Sequence, residues 1–74
     1  MIHVDLFNLD EPPLQIASAG FEPRSIGQTW TWTKNVIEDV YGCDRDEIDL
    51  DEEDYITVRG TRVAVSKLRV GVAA

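Results

Sequence analysis

The densest group of chemically active side chains in this sequence lies at residues 44–55, DRDEIDLDEEDY. This segment contains eight carboxylates and one arginine, and its net charge of −7 equals that of the whole 74-residue chain. Carboxylates at this density can act as acid–base catalysts, as metal ligands or as a charged contact surface. Each use requires different surroundings, so the rest of the chain bears on the choice.

Catalysis has little support in this sequence. Paired carboxylates can hydrolyse glycosides, but they need a cleft, and a chain of this length has a small core from which to build one. The single histidine, His3, and the single cysteine, Cys43, show no pattern of a nucleophile–base pair. We interpret His3 as a structural strand residue and Cys43 as an unreactive thiol. We therefore predict a protein that is not an enzyme and has no cofactor.

Calcium binding is the second possible use of the acidic segment. An EF-hand loop beginning at Asp44 would need glycine in its sixth position and glutamate in its twelfth, where this chain has Asp49 and Tyr55. A calcium site of another type within residues 51–54 is an alternative, which a calcium-dependent rise in melting temperature would reveal. We predict no metal site, because the number of carboxylates alone is a weak criterion.

A charged contact surface fits the segment best. In EIDLD the acids Glu47, Asp49 and Asp51 alternate with Ile48 and Leu50, a pattern typical of a strand. Acids on one face of a strand would lie about 6.6 Å apart, a spacing similar to that of phosphates along one nucleic-acid strand. Such a row could enter a groove lined with lysine and arginine that normally holds DNA. The predicted partner contacts are Asp46, Glu47, Asp49, Asp51, Glu52, Glu53, Asp54 and Trp30.

Two details qualify this interpretation. Trp30 and Trp32 are two residues apart on a predicted helix and point in different directions, so we expect unequal burial and choose Trp30 as an interface anchor. The acids could instead form a solvated turn that the chain's own cations neutralise. The cations near the C-terminus are Arg59, Arg62, Lys67 and Arg69.

Hydrophobic periodicity predicts the elements that hold the segment. Residues 2–7 alternate as a strand, and residues 14–20 form a second strand with Leu14 and Ile16 on one face. Apolar residues at spacings of three and four predict a helix over residues 26–41. Ser25 and Gln28 fit a capping box before this helix, and Gly42 fits its end.

Residues 55–68 predict a hairpin around the turn Gly60–Thr61. In this register Val58 lies opposite Val63 and Ile56 lies opposite Val65. Arg59 would then lie opposite Arg62, which is unfavourable unless a carboxylate lies nearby. With residues 47–51 as a further strand, the order is β-β-α-β-β-β. We expect an α+β fold, a single domain over residues 1–74 with a small antiparallel sheet and one helix packed on one face.

Composition also restricts the partners. A net charge of −7 argues against direct binding to nucleic acid or to an anionic membrane. No apolar run approaches the roughly 20 residues of a membrane span, and the N-terminus lacks the pattern of a signal peptide. We therefore expect a cytoplasmic protein, while the oligomeric state is left open.

In size, charge and organisation, the chain resembles the small acidic phage-encoded inhibitors that imitate DNA, which include some anti-CRISPR proteins. The residues that carry this resemblance are DRDEIDLDEEDY and the small α/β frame around them. The resemblance implies an inhibitor that blocks the DNA- or PAM-binding site of a CRISPR effector complex in the cytoplasm of the host cell. The alternative is a small structural or regulatory module that binds a partner through its hairpin edge or a tryptophan.

Overall fold

The computed structural model describes residues 1–71. These residues form a five-stranded antiparallel sheet and one α-helix. In chain order the elements are β1 Ile2–Asn8, β2 Gln15–Phe21, α1 Gln28–Tyr41, β3 Ile48–Leu50, β4 Tyr55–Val58 and β5 Thr61–Val70. This confirms the α+β class and the predicted order of elements. The spatial order of the strands is β2-β1-β5-β4-β3, so α1 connects one edge of the sheet to the other.

The core lies between α1 and one face of the sheet. Ile2, Val4 and Leu6 of β1 are buried on this face, as the alternation in the sequence predicts. From the helix, Thr33 and Ile37 are buried one turn apart. In the described chain no helix has the length and apolar content that a membrane span requires.

The helix starts two residues later than predicted. The capping box was wrong, because Ser25 belongs to a short 3-10 turn, Pro23–Ser25, and Gly27 at the N-cap provides no side-chain hydrogen bond. The end of the helix is confirmed. Gly42 adopts a left-handed φ of 64°, and its N–H donates to the carbonyl of Glu38 at 2.9 Å.

Of the two residues predicted to share one face of β2, Ile16 packs against the core and Leu14 does not. Leu14 lies outside the strand and is 62% exposed, while Ala17 and Ala19 lie opposite Leu6 and Val4 of β1. An irregularity in the register near Gln15 inserts one extra residue into β2. Because strand side chains alternate with a period of two, an inserted residue moves the following ones to the other face.

The β4–β5 hairpin turns one residue earlier than predicted. Val58 pairs with Thr61, so the turn is Arg59–Gly60, with φ values of 53° and 81° that are typical of a type I′ turn. A register shift then places Ile56 opposite Ala64, and both are fully buried. The predicted pairing of Arg59 with Arg62 is therefore wrong, and the repulsion between them does not arise.

The hairpin also lies inside the sheet, because β4 pairs with β3 as well as β5, and β5 pairs with β1. The hairpin edge proposed as a binding element is thus covered along β4. However, β4 pairs only with residues 61–65 of β5, whereas β1 pairs with β5 as far as Val70. The last part of β5 consequently has a neighbouring strand on one side only.

Candidate functional site

The acidic segment occupies the β3 edge of the sheet and the turns on either side of that strand. Strand β3 is shorter than predicted, spanning Ile48–Leu50, and a 3-10 turn, Arg45–Glu47, precedes it. Ile48 is buried against the core, whereas Asp49 and Leu50 are exposed. Because Leu50 lies opposite the buried Ile56, Leu50 and Ile48 share the face toward the helix, as the alternation in EIDLD predicts.

Arg59 fastens the beginning of β3 to the β4–β5 turn. Its guanidinium donates hydrogen bonds to both carboxylate oxygens of Glu47, the one from Nη2 at 3.2 Å. The backbone N–H of Arg59 also donates to the carbonyl of Glu47 at 3.0 Å. The Arg59 side chain lowers the pKa of Glu47, and Glu47 in turn raises the pKa of Arg59. Glu47 thus belongs to the internal structure of the fold.

Asp51 has a comparable role at the other end of β3. One carboxylate oxygen accepts the N–H groups of Glu53 and Tyr55 at 2.9 and 3.0 Å, and the other accepts Nε of Arg62 at 2.8 Å. Burial acts to raise the pKa of Asp51, but the two backbone donors and Arg62 outweigh it, so the pKa is lowered. Arg62 also lies over the Tyr55 ring, 4.2 Å from its centroid.

These contacts correct the expectation of a uniform row formed by Glu47, Asp49 and Asp51. The two outer members bind cations of the hairpin, and only Asp49 is exposed and without an ion pair among residues 1–71. The internal neutralisation considered above therefore occurs in part. Arg62 neutralises Glu53 only weakly, because the Glu53 carboxylate lies 3.8 Å from Arg62 and its side chain is 72% exposed.

Five carboxylates of the segment are exposed and take part in no ion pair among residues 1–71. We call this group the acidic edge: Asp44, Asp46, Asp49, Glu52 and Asp54. Asp44 was not among the predicted contacts. The one arginine within the segment does not offset the group, because Arg45 binds Glu38 at 2.9 Å and also Asn35. The acidic edge therefore keeps a local excess of negative charge.

The predicted aromatic anchor, Trp30, lies close to the acidic segment, because it lines the same cavity as Leu50 and Asp54. Both tryptophans are half-buried, which does not bear out the expected unequal burial; the two rings differ in the groups that cover them. Trp32 packs edge-on against Phe21, with ring centroids 5.9 Å apart. The ammonium group of Lys34 lies 5.5 Å from the centroid of Trp30, and Trp30 lines a cavity of about 210 Å³.

This cavity was not predicted from the sequence. It lies between the first half of α1 and the sheet, and Val4, Thr33, Leu50 and Leu68 line it together with Trp30. The sequence shows that Leu68 and Val70 alternate with Lys67 and Arg69. It does not show that β4 stops short beside them, and this early end leaves space under the helix.

The other residues considered for chemistry are dispersed. Cys43 is half-buried against the core, with its thiol 3.8 Å from the carbonyl of Ile37. His3 lies on β1, on the face of the sheet opposite α1. Within residues 1–71, no three histidine, cysteine or carboxylate side chains are grouped so as to hold a metal ion, and this includes residues 51–54.

Comparisons with known proteins bring no assignment to this site. The chain matches no model of a protein family, no curated protein and no solved structure.

Proposed function

We propose that this protein is a non-enzymatic binding protein whose acidic edge imitates DNA and occupies a basic nucleic-acid-binding site on a partner protein. One observation carries the proposal. Two arginines bind Glu47 and Asp51 and fasten both ends of β3, while the five carboxylates of the acidic edge stay exposed and without ion pairs among residues 1–71.

The two ion pairs that hold the ends of β3 affect the energetics of binding. Carboxylates held on a folded edge lose less conformational freedom on binding than those of a flexible acidic tail, so more of the attraction appears as affinity. Their mutual repulsion is relieved when a cationic groove approaches. A site that normally releases counterions on binding phosphates would gain the same kind of attraction from these carboxylates.

The class of partner follows from this chemistry. A protein groove lined with lysine and arginine is complementary to the acidic edge, whereas nucleic acid itself is repelled. A CRISPR effector complex is the most specific form of this proposal, and it rests on the resemblance of DRDEIDLDEEDY and its frame to phage-encoded inhibitors.

The test compares two charge-reversal variants that change the net charge equally. The first, D49K/E52K, reverses two exposed members of the acidic edge. The control, E11K/E22K, reverses two exposed carboxylates near the opposite edge of the sheet, Glu11 in the β1–β2 loop and Glu22 directly after β2. Glu22 pairs with Arg24, but both side chains are more than half exposed, so the loss of this pair should cost little stability. Glu47 and Asp51 are left intact, because their loss would disturb the fold as well as the charge.

Each variant is tested for inhibition of DNA binding by a panel of purified CRISPR effector complexes and for retention of proteins from a host lysate at low salt. We expect the unmodified protein and E11K/E22K to act alike, D49K/E52K to lose at least tenfold in affinity, and short duplex DNA or added salt to release the partner. Equal affinity of the two variants, or a partner that DNA does not displace, would refute the proposal.

A further inference from the structure

The last part of β5 has an open backbone edge. On the β1 side, the N–H of Gly71 donates to the backbone carbonyl of Met1 at 2.7 Å. On the β4 side, the N–H of Ser66 donates to the backbone carbonyl of Asp54 at 3.0 Å. Because donors alternate along a strand, the N–H and C=O groups of Leu68 and Val70 point to the β4 side. No strand among residues 1–71 lies there, because the pairing of β4 with β5 ends at Val65.

The side chains at this edge are apolar on the face that α1 partly covers. Leu68 is 56% exposed and Val70 is 73% exposed, so two neighbouring apolar positions on one face of β5 are open to solvent. The cavity of about 210 Å³ opens beside Leu68, and Trp30 lies on its helix side. An added strand could therefore place one apolar side chain in this cavity.

The opposite face of the same edge is cationic. Lys67 and Arg69 are exposed there and alternate with Leu68 and Val70. Arg69 binds Asp5 at 2.8 Å, whereas Lys67 takes part in no ion pair among residues 1–71. A strand beside them would be stabilised by acidic side chains on this face.

We propose that an extended segment of a partner protein, with apolar and acidic side chains in alternation, adds antiparallel to β5 at residues 67–70. It would lie in line with β4, bonded to the backbone of Leu68 and Val70. Its apolar side chains would face the cavity beneath Trp30, and its acidic side chains would face Lys67 and Arg69. Main-chain bonds provide affinity in this mode, and alternate side chains provide specificity.

Charge argues against a second copy of this chain as the occupant. Two β5 edges paired with each other would bring Lys67 and Arg69 of one copy beside the same residues of the other, and like charges across a strand pair are unfavourable. The inference rests on a different strand and on the opposite charge from the acidic edge, although the two surfaces meet at Asp54, which also lines the cavity.

The probe is the capped peptide acetyl-Glu-Ile-Glu-Ile-Glu-amide, added to the intact protein. Amide hydrogen exchange measured by NMR should show rapid exchange at Leu68 and Val70 in the free protein, while Lys67 and Arg69 are already protected by β1. Saturating peptide should slow exchange at Leu68 and Val70 by about tenfold or more. Binding without this protection, or no binding, would overturn the proposal.

Peptide variants test the geometry without altering the protein. In an antiparallel ladder the isoleucines lie opposite Leu68 and Val70 and supply the bonded N–H groups. Methylation of the two isoleucine nitrogens should weaken binding at least tenfold, and methylation of the glutamate nitrogens should not. Replacement of glutamate by lysine should also weaken binding at least tenfold. Equal effects of the two methylations would overturn the antiparallel arrangement.

A variant of the protein itself tests whether the peptide binds to the assigned edge of β5. V70P removes an N–H that points away from β1, so it should weaken the peptide about fivefold and leave the melting temperature nearly unchanged. Unchanged affinity for V70P would contradict the assigned edge. Protection of Leu68 and Val70 that rises with protein concentration, together with a dimer in sedimentation, would overturn the proposal in favour of a second copy.

Discussion

The Asp51 carboxylate accepts a hydrogen bond of 2.8 Å from Nε of Arg62 and thereby ties the β3–β4 turn to strand β5. Its second oxygen accepts two backbone N–H groups of the same turn. Asp49, two residues earlier, is exposed and makes no ion pair among residues 1–71. The acidic segment therefore combines carboxylates that hold the fold with carboxylates that a partner can reach.

Alanine substitutions should separate these two groups. D51A removes the acceptor of two N–H groups and of Arg62, so we expect a clearly lower melting temperature. D49A should change the free energy of unfolding by no more than about 0.5 kcal/mol, because the side chain is exposed. Thermal unfolding followed by circular dichroism measures both. Equal melting temperatures for the two variants would show that the turn does not depend on Asp51.

Acid should destabilise the protein through three carboxylates. Arg69 and Ser18 lower the pKa of Asp5, Arg59 lowers that of Glu47, and the pKa of Asp51 is also lowered. A carboxylate whose pKa falls on folding stabilises the native state when the pH is above the ordinary pKa of the group, which is 3.8 for Asp and 4.5 for Glu. That stabilisation is lost as the pH falls through the lowered pKa.

Urea unfolding at a series of pH values measures this loss. The free energy of unfolding should decrease once the pH falls below about 4.5, the ordinary value for Glu. In D5N the decrease should be smaller, because one of the three groups no longer titrates. A free energy that stays constant into strong acid would contradict the assigned ion pairs.

Glycine-to-alanine substitutions should have opposite signs at two positions. Gly60 has a φ of 81° in the type I′ turn, so G60A should lower the free energy of unfolding by about 1–2 kcal/mol. Gly27 has a φ of −64° with nothing within 4 Å of an added Cβ, so G27A should raise it by about 0.4–1 kcal/mol. Urea unfolding of both variants checks the signs. Stabilisation by G60A would mean that the hairpin does not turn at Arg59–Gly60.

Packing between α1 and the sheet should depend on Ile37, which is fully buried. I37V removes one methylene from a closely packed site and should reduce the free energy of unfolding by about 1 kcal/mol. I26V is the matched control, because Ile26 is half exposed, and it should change the free energy by no more than about 0.5 kcal/mol. Equal losses in urea unfolding would contradict the position of the helix.

Local patterns in the sequence correctly predicted several elements of the fold. The alternation in β1, the helical spacing of Thr33 and Ile37, and the stop at Gly42 each depend on residues a few positions apart, where periodicity and backbone preference act directly. The errors arose where a single residue shifts a register. The hairpin turn at Arg59–Gly60 is one such case, because pairing of Ile56 with Ala64 inside the core decides it.

By itself, the sequence determined that this is an α+β protein with its negative charge concentrated between a helix and a hairpin, since charge and periodicity are properties of neighbouring residues. Only the tertiary structure decided which carboxylates are free. Glu47 pairs with Arg59, twelve residues away, and Asp51 pairs with Arg62, eleven residues away, because β3 folds back beside β4. The open edge at Leu68 and Val70 likewise exists only because β4 is shorter than β5, a consequence of strand pairing across the whole sheet.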